Sequence, residues 1–188
     1  MDLEQFYKDM SEQKQVVAGG ELMQMFHKLS QEALKITAEL NSKYHTPEEI
    51  VDIFSKLTGK KVDKSFGLFP PFYTDCGKNI KVGKNVFINA CCRFQDQGGI
   101  EIGDGTLIGH NTTIATLNHD FNPETRANIT PKSVKIGKNV WIGSDCTILP
   151  DVEIGDGAII GAGSVVTKSI GKNCIAVGNP ARVIKQII

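Results

Sequence analysis

The chain has 188 residues, with 21 basic and 21 acidic side chains and a formal net charge of zero. This balance provides no field that would attract nucleic acid or an anionic membrane surface, so it favours a small-molecule task. The beginning of the chain lacks the cationic and apolar regions of a signal peptide, and no run approaches about 18 apolar residues. We therefore expect a cytoplasmic protein without a membrane span.

The clearest helical pattern near the start of the chain is TPEEIVDIFSKLTGK. Thr46 can cap this helix, Pro47 suits its first position, and Glu49 completes a capping box. Apolar residues then recur on one face, and Gly59 supplies the stop. The pattern predicts an amphipathic helix whose apolar face docks on the rest of the chain.

A weaker helical pattern extends from about Val16 to Leu40, with Gly19 and Gly20 marking a bend or boundary. Together the two patterns define an N-terminal helical segment over residues 1–60. We expect this segment to be separable from the rest of the chain and to influence the choice of acceptor. Residues 61–79 are predicted as an extended connector, because their two adjacent prolines cannot continue a helix.

After the connector, an aliphatic residue recurs with a period of six, usually followed by a small residue and turn formers. These positions are Val82, Ile88, Ile102, Ile108, Ile114, Ile136, Ile142, Ile148, Ile154, Ile160 and Val166. Such a unit can form a short strand and a corner, so three units close a triangular coil, and coils stack about 4.8 Å apart. Gly and Asn suit corners that need left-handed dihedrals. The repeat predicts a β-helix over residues 80–188, whereas a β-sandwich would need turns spaced by roughly 8–12 residues.

The repeat is interrupted by a polar stretch that we predict to be a loop over residues 118–133, extruded from one corner of the coil. A stack of regular coils has no projecting group, so the loop is the candidate functional device. His119 lies at its start. A loop histidine is commonly just a solvated residue, but this one stands where the repeat breaks.

Six motifs occur in the order PPFYTDCGKNI, FINA, LNHD, IGKNVWIG, GAGSVVTK and GNPARVIKQI. Together with the hexads, they resemble the maltose and galactoside O-acetyltransferases among the hexapeptide-repeat acyltransferases. The resemblance implies a mainly β fold, a left-handed parallel β-helix with an N-terminal α-helical segment and an extruded loop. The handedness comes from the resemblance alone, since the general crossover rule predicts the opposite hand. It also implies a homotrimer with active sites between subunits, and acetyl-CoA as co-substrate.

The resemblance assigns the reacting groups. His119 corresponds to the general base, which takes a proton from a sugar hydroxyl as that hydroxyl attacks the thioester directly. Asn89 and Asp75 correspond to positions near the acceptor, where the amide can also hold the developing oxyanion. Trp141 corresponds to a tryptophan beside the reacting groups. Ordinary structural roles are open for all three: a corner Asn, a turn Asp and an interface Trp.

The resemblance also implies a groove for acetyl-CoA, and no metal. The corresponding positions are Ser144, Ala162, Thr167, Lys168, Arg182 and Lys185. Backbone amides there would contact the pantetheine arm, and the cationic side chains would lie near the phosphates. Lys185 stands where the family often has a second arginine, which keeps the charge but loses the bidentate fork.

The chain departs from the galactoside enzymes at AGGELMQMF, where Gln24 and Met25 replace an acceptor-contacting Asp. Three alternatives are therefore open. The same chemistry can act on a non-sugar acceptor, such as an antibiotic or an amine. A γ-type carbonic anhydrase would need three histidines around zinc, but only His110 and His119 lie in the coil region. A non-catalytic trimeric scaffold would not need the histidine, the loop or the CoA motifs.

Overall fold

The computed structural model describes residues 1–187, which form a three-sided parallel β-helix preceded by three α-helices. The helices are α1 (Leu3–Ser11), α2 (Glu21–Ser42) and α3 (Pro47–Thr58). The strands of the first two coils are β1 (Gly67–Leu68), β2 (Phe72–Thr74), β3 (Ile80–Val82), β4 (Phe87–Ile88), β5 (Cys92–Gln95) and β6 (Ile100–Ile102). Those of the third are β7 (Leu107–Ile108), β8 (Thr113–Ala115), β9 (Leu117–His119), β10 (Ile129–Pro131) and β11 (Val134–Ile136). The strands of the remaining coils are β12 (Trp141–Ile142), β13 (Thr147–Ile148), β14 (Glu153–Ile154), β15 (Ile159–Ile160), β16 (Val165–Val166), β17 (Cys174–Gly178) and β18 (Ala181–Gln186).

Each coil contributes one strand to each side of the prism. We call the sheet β1-β4-β7-β12-β15-β17-β18 the apolar face, β2-β5-β8-β13-β16 the polar face, and β3-β6-β11-β14 the charged face. Pairing within the faces is parallel, except between β17 and β18, which are antiparallel. The predicted parallel β-helix is confirmed.

The hexad aliphatics fill the interior of the prism. All eleven positions are buried, except that Val82 is only partly so. The corners follow the predicted chemistry, since Asn139 and Asn173 adopt left-handed φ values of 52° and 53°. At Gly143 a Cβ atom would lie 2.6 Å from the backbone N of Ala162, so the close approach of successive coils requires glycine there.

The helical predictions are confirmed in part. Thr46 and Glu49 form the capping box of α3, and Gly59 ends the helix with φ 67°. Gly20 is the N-cap of α2, as the predicted boundary requires. The helical patterns in the sequence did not predict α1, whose N-cap is Asp2.

The N-terminal segment is less separable than the sequence suggested. The second half of α2 and all of α3 share one hydrophobic core with the coils. Within it, Phe54 packs against Phe66 and Phe72, with ring centroids 4.5 and 5.6 Å apart. A truncation at residue 60 would therefore open the interior of the first coil.

Side chains from this segment also close the free backbone edge of the first coil. The amide of Asn41 donates to the Phe72 carbonyl and accepts from the Phe72 N–H, both at 2.9 Å, as a preceding strand would. The amine of Lys60 donates to the carbonyls of Lys78 and Ile80. Burial lowers the pKa of the Lys60 amine.

The first coil begins earlier than the sequence indicated. The segment 61–79, predicted as an extended connector, contains β1 and β2, which pair in parallel with β4 and β5. The strand ladder therefore starts at Gly67 and not at residue 80.

We predict that Asn41→Ala lowers the free energy of unfolding by about 1–3 kcal/mol, because it leaves both backbone groups of Phe72 without their partners. Denaturant unfolding measures this change. The control is Ser42→Ala in the same turn of α2, where the exposed hydroxyl contacts only the Glu39 carbonyl. Equal effects of the two substitutions would contradict the role given to Asn41.

Candidate functional site

The predicted loop is a β-hairpin. Strands β9 and β10 pair in antiparallel register, with His119 opposite Ile129, and a 3₁₀ turn at Pro123–Thr125 forms the tip. The hairpin leaves the prism after β8 and returns at β11, so it interrupts one corner without disturbing the coil. It projects from the edge between the polar and charged faces, which we call the second edge.

The hydrogen bonding of His119 fixes which ring nitrogen is free. Nδ1 lies 2.7 Å from the carbonyl oxygen of Arg126. Because a carbonyl can only accept, Nδ1 carries the hydrogen, and the neutral ring has its lone pair on Nε2. The side chain is exposed, so Nε2 is available to take a proton from a bound molecule.

Polar contacts rigidify the tip beyond His119. The guanidinium of Arg126 donates to the Phe121 carbonyl at 2.9 Å, and the Thr125 hydroxyl donates to Asp120 at 2.8 Å. The Thr125 hydroxyl and the Asn122 N–H hold the pKa of the Asp120 carboxyl below its ordinary value. The turn is thus held in one shape, and it keeps the Arg126 carbonyl on Nδ1.

The N-terminal segment supports the hairpin through backbone hydrogen bonds and hydrophobic packing. Val16 exchanges two backbone hydrogen bonds with Ile129, at 2.8 and 2.9 Å, and so adds a short third strand. Ile129 belongs to a second hydrophobic cluster, which joins α1 and the first half of α2 to the hairpin. Met25 is buried in this cluster and packs there, while Gln24 is exposed.

Asp75 lies on the second edge in the first coil, beside Gln97, which the sequence motifs did not indicate as a site residue. The amide of Gln97 is 3.5 Å from the Asp75 carboxylate. Partial desolvation raises the pKa of the Asp75 carboxyl. Among residues 1–187, Gln97 Oε1 is the one buried side-chain N or O atom without a hydrogen-bond partner. Such an oxygen can accept a hydrogen bond from a bound hydroxyl or amine.

Asp96, adjacent to Gln97, anchors the corner that carries Asp75. Its fully buried carboxylate accepts from the Thr74 hydroxyl and from the N–H groups of Cys76, Gly77 and Asn79, at 2.6–3.2 Å. Burial raises the pKa of the Asp96 carboxyl, and these four donors oppose the rise.

Other predicted site residues lie on a different corner. Asn89, Ser144 and Ala162 follow strands of the apolar face, on the edge between the apolar and polar faces, which we call the first edge. The Asn89 amide donates to the Ile108 carbonyl at 3.2 Å, which orients the side chain and leaves its Oδ1 free for other contacts.

The remaining predicted positions are exposed. Thr167 and Lys168 follow β16 on the second edge, Trp141 projects from β12 on the apolar face, and Arg182 and Lys185 lie on β18. Within residues 1–187 no ion pair engages Lys168, Arg182 or Lys185. Their charges are therefore available to an anion.

One chain does not bring the predicted residues together. Asp75, His119, Thr167 and Lys168 share the second edge, whereas the others share the first edge and the apolar face. Because side chains on two corners of a triangular prism point away from each other, a compact site cannot use both groups from the same subunit.

Residues 1–187 contain neither a grouped set of metal ligands nor a membrane-spanning helix. Among these residues, no three His, Cys, Asp or Glu side chains are grouped so that they could hold a metal ion. None of the helices described is long and apolar enough to cross a bilayer.

Comparison with known proteins places the chain in a family. A family model described as bacterial transferase hexapeptide (six repeats) matches residues 133–168. The galactoside O-acetyltransferase of Escherichia coli strain K12 is 44% identical over 120 residues, which span 63% of this chain and 59% of that relative. The crystal structure of a maltose O-acetyltransferase from Clostridium difficile 630 has a TM-score of 0.88 and 39% sequence identity, and 96% of each chain is covered.

A further structure is a hexapeptide-repeat acetyltransferase from Vibrio cholerae O1 biovar eltor, complexed with acetyl-CoA. Its TM-score is 0.82 at 26% identity, with 97% of this chain and 98% of that chain covered. The chain described here is 39% identical to the Clostridium protein over 96% of both chains. It therefore belongs to the hexapeptide-repeat acetyltransferases.

We predict that Asp96→Asn lowers the free energy of unfolding by about 1–3 kcal/mol, because the new amide turns an N–H towards a backbone donor that needs an acceptor. Thermal and denaturant unfolding measure the loss. Asp151→Asn is the matched control, since Asp151 is exposed and its ion-pair partner, the Lys132 amine, is 3.6 Å away. An Asp96→Asn protein as stable as the control would exclude a structural role for the carboxylate.

Proposed function

We propose that the protein is an acetyl-CoA-dependent O-acetyltransferase that transfers the acetyl group to a hydroxyl of a sugar or oligosaccharide. The observation that carries the proposal is the His119 side chain, presented on a braced hairpin with Nδ1 bonded to the Arg126 carbonyl. The names of the Escherichia and Clostridium relatives support the reaction class and the kind of acceptor. The Vibrio complex supports acetyl-CoA as donor.

In this proposal His119 acts as general base through Nε2. It takes the proton of the acceptor hydroxyl while the hydroxyl oxygen attacks the thioester carbonyl carbon. The tetrahedral intermediate then collapses, the C–S bond breaks, and the CoA sulfur receives the proton from the imidazolium. No covalent enzyme intermediate forms. The Arg126 carbonyl keeps the ring in the required tautomer and accepts from Nδ1–H throughout.

The separation of the predicted residues on two edges supports a homotrimer with sites between subunits. We infer a three-fold arrangement of prisms with parallel axes in which the first edge of one subunit lies beside the second edge of its neighbour. His119, Asp75 and Gln97 then come from one subunit, and Asn89 and Trp141 from the next. Asn89 would hold the acceptor hydroxyl or the oxyanion, and Asp75 and Gln97 would bind other acceptor hydroxyls.

The donor would lie along the same groove. Backbone amides at Ser144, Ala162 and Thr167 would contact the pantetheine arm, and the cationic side chains would lie near the phosphates. Lys168 stands on the second edge, so its phosphate contact would come from the neighbouring subunit, whereas Arg182 and Lys185 share a subunit with Ser144.

An acceptor panel tests the reaction class. Release of the CoA thiol is followed with mono- and disaccharides, glycosides, amino sugars and simple amines as acceptors. Turnover with sugar hydroxyls, and ester products by mass spectrometry, would support the proposal. Turnover with amines alone would replace sugars as the acceptor class, and no turnover with any acceptor, together with no acetyl-CoA binding by calorimetry, would favour a scaffold.

We predict that His119→Ala lowers turnover by about 10²–10⁴-fold, the usual contribution of a positioned general base, with little change in acetyl-CoA affinity. Steady-state kinetics and calorimetry measure the two quantities. His27→Ala is the control, because His27 is also exposed but lies on α2. A loss below about tenfold would remove His119 from the role of base.

We further predict that neutralising Arg182 and Lys185 together, both to Gln, raises the KM for acetyl-CoA about tenfold at low salt. Phosphates far from the thioester are held equally in the ground and transition states, so kcat and the acceptor KM change little. Lys81→Gln with Lys135→Gln removes the same charge from the charged face and is the control. The double variant should also show a weaker salt dependence of the acetyl-CoA KM, because only Lys168 still faces the phosphates. Parent-like acetyl-CoA kinetics would refute the phosphate contacts of Arg182 and Lys185.

A further inference from the structure

We propose that Phe121 docks the hairpin tip onto the apolar face of a second copy of this chain, against Leu107 and Trp141. The contact rests on the proposed trimer, and it makes Phe121 a positioning residue for His119 of the same hairpin. In this proposal, the Phe121 ring of the neighbouring subunit covers the part of the apolar face formed by Leu107 and Trp141.

Phe121 is a large apolar side chain that its own chain leaves in water. It is 94% exposed, two residues after His119. Its backbone is nonetheless held, because the guanidinium of Arg126 donates to its carbonyl and the next turn is closed by Asn122 and Thr125. A rigidly presented aromatic at the end of an extrusion is typical of an anchor that inserts into a partner.

The outward positions of the three faces differ in chemistry. On the charged face they form paired ions, such as Lys81–Glu101 and Lys135–Glu153. On the apolar face the outward residues in register are Phe87, Leu107, Trp141, Ile159 and Ile175. Leu107 is 49% exposed and Trp141 55% exposed, whereas the other three are partly buried, so the middle of this stripe is an uncovered apolar surface in the single chain.

The topology prevents Phe121 from reaching the stripe of its own subunit. The hairpin leaves the prism at the second edge, between the polar and charged faces, whereas the stripe occupies the remaining side. A second copy resolves this mismatch, because the three-fold arrangement that joins the first edge to the neighbour's second edge turns the hairpin towards the neighbour's apolar face.

The heights along the prism also agree. The hairpin is inserted between β8 and β11 in the third coil, which begins with β7 and therefore with Leu107. The strand that starts the fourth coil is β12, which carries Trp141. A three-fold axis parallel to the coil axis leaves every coil at its own level, so the tip of one subunit meets these two residues of the next.

The sole tryptophan of the chain is Trp141, so its fluorescence reports this contact directly. In the ligand-free protein, Phe121→Ser should shift Trp141 emission to longer wavelength and increase its quenching by acrylamide. It should also lower kcat by about 10- to 100-fold, because His119 is less well placed. Phe121→Leu, which keeps an apolar anchor, should restore most of both properties.

Leu34→Ser is the control, since Leu34 is a 56% exposed apolar side chain on α2 that lies beside Tyr73 and Arg93 of the polar face and not in the apolar stripe. It should leave Trp141 emission unchanged. Light scattering on the parent protein separates the possible failures. A monomeric parent would overturn both the trimer and this contact.

A trimeric parent whose Trp141 emission and quenching are the same in Phe121→Ser would overturn the contact alone, and the proposed function would stand. Unchanged emission with a raised acceptor KM would also overturn it, by placing Phe121 against the acceptor.

Discussion

The hydrogen bonds between successive coils are the interaction on which the rest of the structure depends. Strands of two to six residues cannot stand alone, so the strands of the prism pair with those of the coil before, the coil after, or both. That pairing requires coils of matched shape, which is why an aliphatic residue recurs at every sixth position and why the corners need Gly or Asn. The same regularity leaves the prism rigid and its surfaces sorted by face.

The candidate site lies where one coil is interrupted while the register of the strands on either side is kept. The hairpin carrying His119 departs after β8 and rejoins at β11, whose pairing with β6 and β14 is regular. The insertion therefore leaves the strand pairing of the coil intact. The hairpin itself is ordered by Arg126 at its tip, and by Val16 and the first two helices at its base. The coils thus fix distances along the prism, and the helices fix the position of the hairpin that carries His119.

Features encoded by near neighbours in the sequence were predictable. The hexads, the capping box of α3, the boundary at Gly20 and the position of the extrusion all follow from local spacing. Helix α1 was not, because its apolar residues Phe6 and Met10 are buried only by contacts distant in the chain. The start of the first coil was not predictable either, because its strands lack the Ile-Gly signature. Gln97 was not predicted, because the burial of its side-chain oxygen and the lack of a partner depend on the folded structure. The roles of the site residues remain proposals.

The way in which the first and last coils end has a consequence for the whole molecule. A stack of parallel coils is an open-ended strand ladder, and each end presents backbone donors and acceptors that another stack could extend. At one end Asn41 and Lys60 occupy those groups and two helices cover the interior; at the other, β18 folds back on β17 in antiparallel sense. The terminal elements thus keep a potentially fibrous architecture finite, which allows a discrete enzyme to be built from a motif that could otherwise polymerise.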